Sequence, residues 1–500
     1  MKLCLSQLLR VIITFALINK MSINVHARDN NKRRSKEKTG GFQSNICDVT
    51  DRESKVHCYC ENTREPYNAT KAECWVFNGG IPCDGAIWQS FASQPHLLTL
   101  SFNVRVDGAL PYIPTKSLHY LKKLRSINIK YGNIVEVSSF ALANLTNLKE
   151  AMLSQNQIER LQSYAFAHLP NITVINLEDN MIFNIGTEAF YDVPNLQKLV
   201  LTKNNISSIH DGAFQHTYNL LELDLNKNNI FQLNRHTFDG LANLRKLDLR
   251  RNHIFNLTEF TFAELWNLQE LLLGKNDLKF ISERAFDGLS LLKKLALDEN
   301  KLVAFPPRLF EGVRGLSVLD LRINQLQRFT FDNIKPIMEN LRAPNSSLLL
   351  DDNDLICDCQ LKWVHLFFNE TTSVSTKTSL ETLTCKLDTN IPTPAIETVY
   401  NLDSIDIEVF KKEGNIKEIK ANNLKDETDK KTVKKTVLKI KTELLTCSVE
   451  VIKTKTAPVI SSNPVLENEI KSFYRLGSVS GAPRLYFSSL IFVNVMLFVT

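Results

Sequence analysis

The chain has 500 residues, of which 43% are hydrophobic, and 60 lysines and arginines against 54 aspartates and glutamates give a formal net charge of +6. That apolar fraction excludes a wholly disordered chain, and the length accommodates several ordinary domains or a single long repeat array. The small positive surplus names no class of partner, because it is concentrated in two lysine-rich stretches with the composition of unfolded segments.

At the amino terminus Lys2 and Arg10 flank a short basic region, VIITFALI (Val11 to Ile18) is apolar, and Val25 and Ala27 supply small residues before Arg28. This arrangement predicts a secretory signal peptide over 1–27 rather than a buried amino-terminal helix. The stretch RDNNKRRSKEKTGG that follows predicts a disordered basic segment over 28–45. Export sets the terms for the cysteines. Cys47, Cys58, Cys60, Cys74 and Cys83 fall in a cysteine-rich cap at 46–95, and Cys357, Cys359, Cys385 and Cys447 follow the main body. The pairs CYC and CDC lack the C-x-x-C knuckle of a zinc site, and an oxidising compartment favours disulfides, so no metal or other cofactor is expected.

Repeats rich in leucine are expected over 96–345, and from 148 to 326 one motif recurs every 24 residues without a slip. It reads LKEAMLSQNQI at 148–158, LQKLVLTKNNI at 196–206, LRKLDLRRNHI at 244–254 and LSVLDLRINQL at 316–326, with four further copies in phase. LRSINIKYGNI at 124–134 is a degenerate earlier copy with Gly132 where asparagine is due, and SSLLLDDNDLICDC at 346–359 closes the series. The L-x-L core has the period of a strand, so Leu247 and Leu249 are expected to face inward and Asp248 outward. Asparagine recurs where the chain leaves each strand, from Asn156 through Asn353, and an amide there can satisfy backbone groups in neighbouring turns. Ten residues after seven of these asparagines stands a phenylalanine, Phe166 through Phe310, predicting a column that fills the back of the coil.

A carboxy-terminal cap is expected at 346–450, interrupted by a lysine-rich insertion at 388–445 that contains KKEGNIKEIKANNLKDETDKKTVKKTVLKIK. Such a run invites a nucleic-acid reading, but in an exported chain it is read as a solvated excursion. A stalk at 451–480 leads to a propeptide at 481–500. Ser480-Gly481-Ala482 is a triplet of small residues, PRLYFSS is a spacer, and LIFVNVMLFVT is apolar. A membrane-spanning helix needs about 20 apolar residues; this run is shorter and contains Asn494. The arrangement predicts a glycosylphosphatidylinositol signal with lipid on Ser480, Ser478 being the alternative.

The repeat resembles the extracellular leucine-rich repeat family, L-x-x-L-x-L-x-x-N-x-L. That resemblance implies an α/β-type horseshoe solenoid with a parallel concave β-sheet and disulfide-bonded caps at both ends. It further implies the pairs Cys47–Cys60, Cys58–Cys74, Cys357–Cys385 and Cys359–Cys447, which leaves Cys83 as an odd thiol. Four stretches, KVHCYCENTREPYNATKAEC (55–74), IKYGNI (129–134), FAELWNLQEL (262–271) and ISERAFDGL (281–289), resemble the connectin type of insect cell-surface adhesion protein. The implied function is lipid-anchored adhesion on the extracellular face of the plasma membrane, including contact between like molecules, in developing nerve and muscle.

No H-E-x-x-H, G-x-S-x-G or phosphate loop occurs, so catalysis is not expected. Seven glycosylation sequons, at Asn68, Asn144, Asn171, Asn205, Asn256, Asn345 and Asn369, avoid the outward strand positions. Along those positions Glu178 and Asp179 precede a basic stripe of Lys203, Lys227, Arg250, Arg251 and Lys275, and Asp298 and Glu299 close it. This stripe is the candidate partner-binding surface, for a protein on an opposing cell. The competing readings are a lipid-anchored ligand-binding co-receptor, of immune or growth-factor type, and a soluble matrix protein.

Overall fold

The 24-residue period becomes one turn of a coil. In a computed structural model, which describes residues 45–49, 54–61, 67–387 and 434–447, thirteen strands form one sheet in chain order. The first two, Val56–Cys60 and Lys71–Val76, are antiparallel, and every later pair is parallel. The expected signal peptide, basic segment, stalk and lipid-addition tail lie outside the described residues. Among the described residues no helix is long and apolar enough to cross a membrane.

Register explains why the repeat cannot slip. Leu199, Leu223, Leu247, Leu271, Leu295 and Leu319 are partners in successive strands, each at most 1% exposed. Shifting one strand by a residue would turn that leucine outward and bring a charged residue in. On the opposite wall Phe166, Phe190, Phe214, Phe238, Phe262, Phe286 and Phe310 are buried, and the Phe238 and Phe262 rings stack with centroids 5.9 Å apart. No coil can bury its apolar face alone, so stability comes from stacking neighbours.

The asparagines form a ladder along the turn. Asn252 Nδ2 donates to Leu249 O in its own coil at 3.0 Å and to Leu225 O in the preceding one at 3.0 Å. Its Oδ1 accepts from Ile230 N at 3.0 Å. Asn180, Asn204, Asn228, Asn276, Asn300 and Asn324 repeat this pattern. Gly132 stands one coil before the first rung and donates its own N–H to Asn156 Oδ1 at 2.7 Å. A Cβ there would lie 3.0 Å from both that oxygen and Leu110 O, so the close approach of two turns accounts for glycine where asparagine is due.

Both ends are closed. At the amino end Cys47 joins Cys60 and Cys58 joins Cys74, while Trp88, Phe91 and Phe102 pack together beneath them. Cys83 is half-buried in the segment before the 3-10 helix Ala86–Ser93. At the carboxy end Cys357 joins Cys385, Cys359 is disulfide-bonded as well, and Trp363 donates its indole N–H to Phe329 O at 3.0 Å. The last concave strand, Ser347–Leu349, would present an open edge. The helix Val374–Thr382 covers it with hydroxyls: Leu348 N donates to Thr376 Oγ1 at 3.1 Å and Leu350 N to Ser379 Oγ at 3.2 Å.

The structure redraws one boundary. Residues 434–445 fall within the expected insertion, yet Lys434–Thr436 pairs antiparallel with Thr384–Lys386, and Val437 and Leu445 are buried. This apolar pair returns to the cap because burying it releases more free energy than leaving it in water.

Candidate recognition surface

Four outward columns run along the concave sheet, repeating about every 4.8 Å where the strands pair. The first alternates in sign through Lys198, Glu222, Lys246, Glu270 and Lys294, which are partners in register. Lys198 Nζ lies 2.8 Å from Glu222 Oε2. The second column holds Asp224 and Asp248, the third Arg250 and Asp298, and the fourth carries most of the expected stripe.

In that fourth column Asp179, Lys203, Lys227, Arg251, Lys275 and Glu299 all adopt left-handed backbone, with φ between 52° and 60°. Such a conformation costs an ordinary residue about 1 kcal/mol. A repeated backbone bond offsets it: Lys227 N donates to Arg250 O at 3.0 Å and Arg251 N to Gly274 O at 3.0 Å in the next coil. The turn therefore fixes where these side chains leave the surface, whatever their chemistry.

The stripe divides into paired and unpaired charges. Lys203 Nζ is 3.1 Å from Glu178 Oε1, and Lys275 Nζ is 2.7 Å from Glu299 Oε1. Arg250 lies across Asp248, with Nε 3.0 Å from Oδ1 and Nη2 2.5 Å from Oδ2. Asp248 was expected to face outward; it does lie on the concave side, but beneath this guanidinium only 5% of its side chain is exposed. The hydrogen bond to Asp248, ahead of any other influence, raises the pKa of Arg250. Among the described residues Lys227 and Arg251 have no ion-pair partner, and both are exposed. They are the two uncompensated positive charges at the centre of the stripe.

The flanks differ. Toward the carboxy end Asp298 folds over Gly274, where a Cβ would meet Asp298 Oδ1 at 2.3 Å. Burial and then the neighbouring Asp320 raise the Asp298 pKa above its ordinary 3.8. Toward the amino end a hollow of about 290 Å³ is lined by Asn128, Lys130, Met152, Asn176, Glu178 and Lys203. Asn128 Oδ1 is buried without a hydrogen-bond partner among the described residues. Six of the seven sequon asparagines are exposed and Asn256 is half-buried; none is on the concave strands. No three potential metal ligands come together among the described residues.

Three segments of this array, 122–182, 194–254 and 242–302, match the family model for the leucine rich repeat. Over these segments the array is built of leucine-rich repeats. Connectin of Drosophila melanogaster is 40% identical over 102 residues, a match spanning 20% of this chain and 15% of the relative. Among solved leucine-rich repeat folds, the Drosophila Toll–Spatzle complex matches at 20% identity, covering 59% of this chain and 50% of that one with a TM-score of 0.44. The TLR13–ssRNA13 complex matches at 24% identity over 55% and 41% of the two chains, with a TM-score of 0.46. These likenesses concern the repeat fold alone.

Two features of the leucine-rich repeat array were not anticipated from the sequence. The clamp recurs at Asp320 and Arg322, 2.7 Å apart, and its signal is the LDLR shared by both copies, which places acid and base two positions apart on one strand face. A second asparagine ladder, from Asn147 to Asn267, donates to carbonyls of the preceding coil, as Asn243 Nδ2 does to Tyr218 O at 2.9 Å. Asn171 belongs to it, donating to Thr146 O.

Proposed function

We propose that the chain is a non-enzymatic recognition protein of the cell exterior that holds cells together through the concave face of its repeats. The observation that carries this reading is the pair Lys227 and Arg251, without an ion-pair partner among the described residues while Lys203, Arg250 and Lys275 of the same stripe are each clamped to an acid, with every sequon placed off that face. The disulfides support an oxidising compartment, and the connectin resemblance supports adhesion in developing nerve and muscle. Anchoring by lipid at Ser480, after removal of 1–27 and 481–500, completes the proposal, as does a bond from Cys359 to Cys447.

Charge order limits contact between two copies. A two-fold axis through the stripe would oppose Lys227 and Arg251 to their own equivalents, which like-charge repulsion disfavours. Contact between like molecules therefore requires a shift along the array that sets the stripe against the acidic end near Asp298.

The test mixes cells displaying the chain with bare cells and scores clustering. Clustering confined to displaying cells supports contact between like molecules, and recruitment of a second cell type supports the co-receptor reading. Lys227→Glu with Arg251→Glu should abolish clustering in protein that still reaches the surface; clustering that survives moves the site elsewhere. Phosphatidylinositol-specific phospholipase C should release the protein, and retention after verified enzyme activity rejects the lipid anchor. Peptide mapping of unreduced protein reads the Cys359–Cys447 bond.

A further inference from the structure

Beside the concave sheet, where each coil leaves the asparagine ladder, the flank exposes an unusual amount of apolar surface. Met181, Phe183, Phe231, Phe255 and Phe280 are 47, 43, 48, 46 and 60% exposed. Phe183, Phe231 and Phe255 share one register position of the 24-residue period, with Ser207 at that position in the coil between the first two; Phe280 stands one place later in its coil and Met181 two places earlier. Isolated apolar residues on a surface need no explanation, but a cluster of four phenylalanines and a methionine on one flank does.

Two sequons lie within this cluster. Asn205 stands one coil after Met181, and Asn256 follows Phe255 directly in the chain. The second has a defined neighbour. Asn256–Leu257 pairs in parallel with Phe280–Ile281, making Asn256 and Phe280 partners. Leu257 and Ile281 are buried, so strand alternation turns Asn256 and Phe280 to the same outward side. Side chains in this column do meet across coils: Arg160 Nε lies 3.1 Å from Glu136 Oε2, and these two are the equivalent partners earlier in the array.

We propose that the flank is covered by the protein's own N-linked sugar. The first N-acetylglucosamine on Asn256 Nδ2 lies against the Phe280 ring, and the glycans on Asn256 and Asn205 together shield the apolar cluster. A pyranose presents polarised C–H groups on its faces, which suit the negative face of an aromatic ring. Contact also removes apolar area of both partners from water. The inference rests on the reading that the chain is exported. It assigns this flank to carbohydrate and leaves the concave face for a partner.

The experiment uses the secreted chain from cells that attach N-glycans. Glycopeptide mass spectrometry first reads occupancy at each sequon. Melting is then compared for the wild type, Phe280→Ala, Asn256→Gln and the double variant. Phe280 is exposed, so its truncation leaves the core intact. The expected result is occupancy at Asn256 and a melting temperature lowered by about 1–2 °C by Phe280→Ala in the glycosylated protein but not in the Asn256→Gln background. Asn256→Gln should also raise binding of a hydrophobic dye. Additive effects of the two changes, or an unoccupied Asn256 in a protein glycosylated elsewhere, overturn the proposal and leave export standing. A protein without any N-glycan overturns both. Loss of cell clustering with Phe280→Ala, without coupling to Asn256, reassigns the flank to a protein partner.

Discussion

The Arg250 guanidinium covers the Asp248 carboxylate, two positions away on the same strand face, so that an acid on the open concave surface is nearly hidden from solvent. Asp224 is the register partner of Asp248. Arg250→Met would leave two adjacent carboxylates facing each other, and the expected cost is about 1 kcal/mol, since the arginine itself is partly solvated. Asp248→Asn in the same chain should restore the loss. Thermal melting of the three proteins checks this, and an unchanged melting temperature for Arg250→Met alone would show that the clamp contributes no stability.

The two asparagine ladders should differ in strength. Asn252→Ala strands two buried carbonyls and one buried N–H, each costly to leave unmade, so about 3 kcal/mol is expected. Asn243→Ala removes an exposed bond whose carbonyl can turn to water, and about 0.5 kcal/mol is expected. Denaturant titration of both variants measures the difference. Equal losses would refute the distinction between the inner and outer ladders.

Stability should depend on Asp298 in a definite direction. Burial, and then Asp320, raise its folded pKa above 3.8, so between that value and the raised one the folded state binds more protons than the unfolded state. Stability contributed here falls as pH rises through this window. Asp298→Asn should therefore raise the melting temperature at pH 7 and change it little near pH 3. A variant that is less stable at pH 7 would reverse the sign and exclude the burial account.

The lysine-rich insertion should be removable. Its two ends are register partners, Lys386 with Lys434, so a short Gly-Ser turn in place of 389–431 closes a hairpin already present. The expected protein is secreted and melts within about 2 °C of the parent, since loop length changes stability only slowly. Failure to secrete would give the segment a structural role. Normal secretion with lost clustering would place adhesion there instead.

Much of this architecture is legible in one dimension because the repeat restates it. Eight copies of one pattern set the strand period, the leucine wall, the phenylalanine column and the asparagine ladder, and each copy confirms the spacing of the last. Sequence also located the concave face, because alternation along a strand assigns sides.

Other features depend on neighbours that sequence does not pair. Lys203, Lys227, Arg251 and Lys275 look alike in one dimension, and left-handed backbone is hidden there because the residues are neither glycine nor asparagine. Packing made two of them ion-paired and left two unpaired. The hydroxyls of Thr376 and Ser379 gave no sign that they would finish a sheet edge, because the strand they cover lies about one coil upstream. Val437 and Leu445 look like part of a solvated lysine-rich run until the cap supplies an apolar surface for them. Periodicity determines what every coil shares; which charges are compensated, and where the array stops, is decided by contacts between residues distant in the chain.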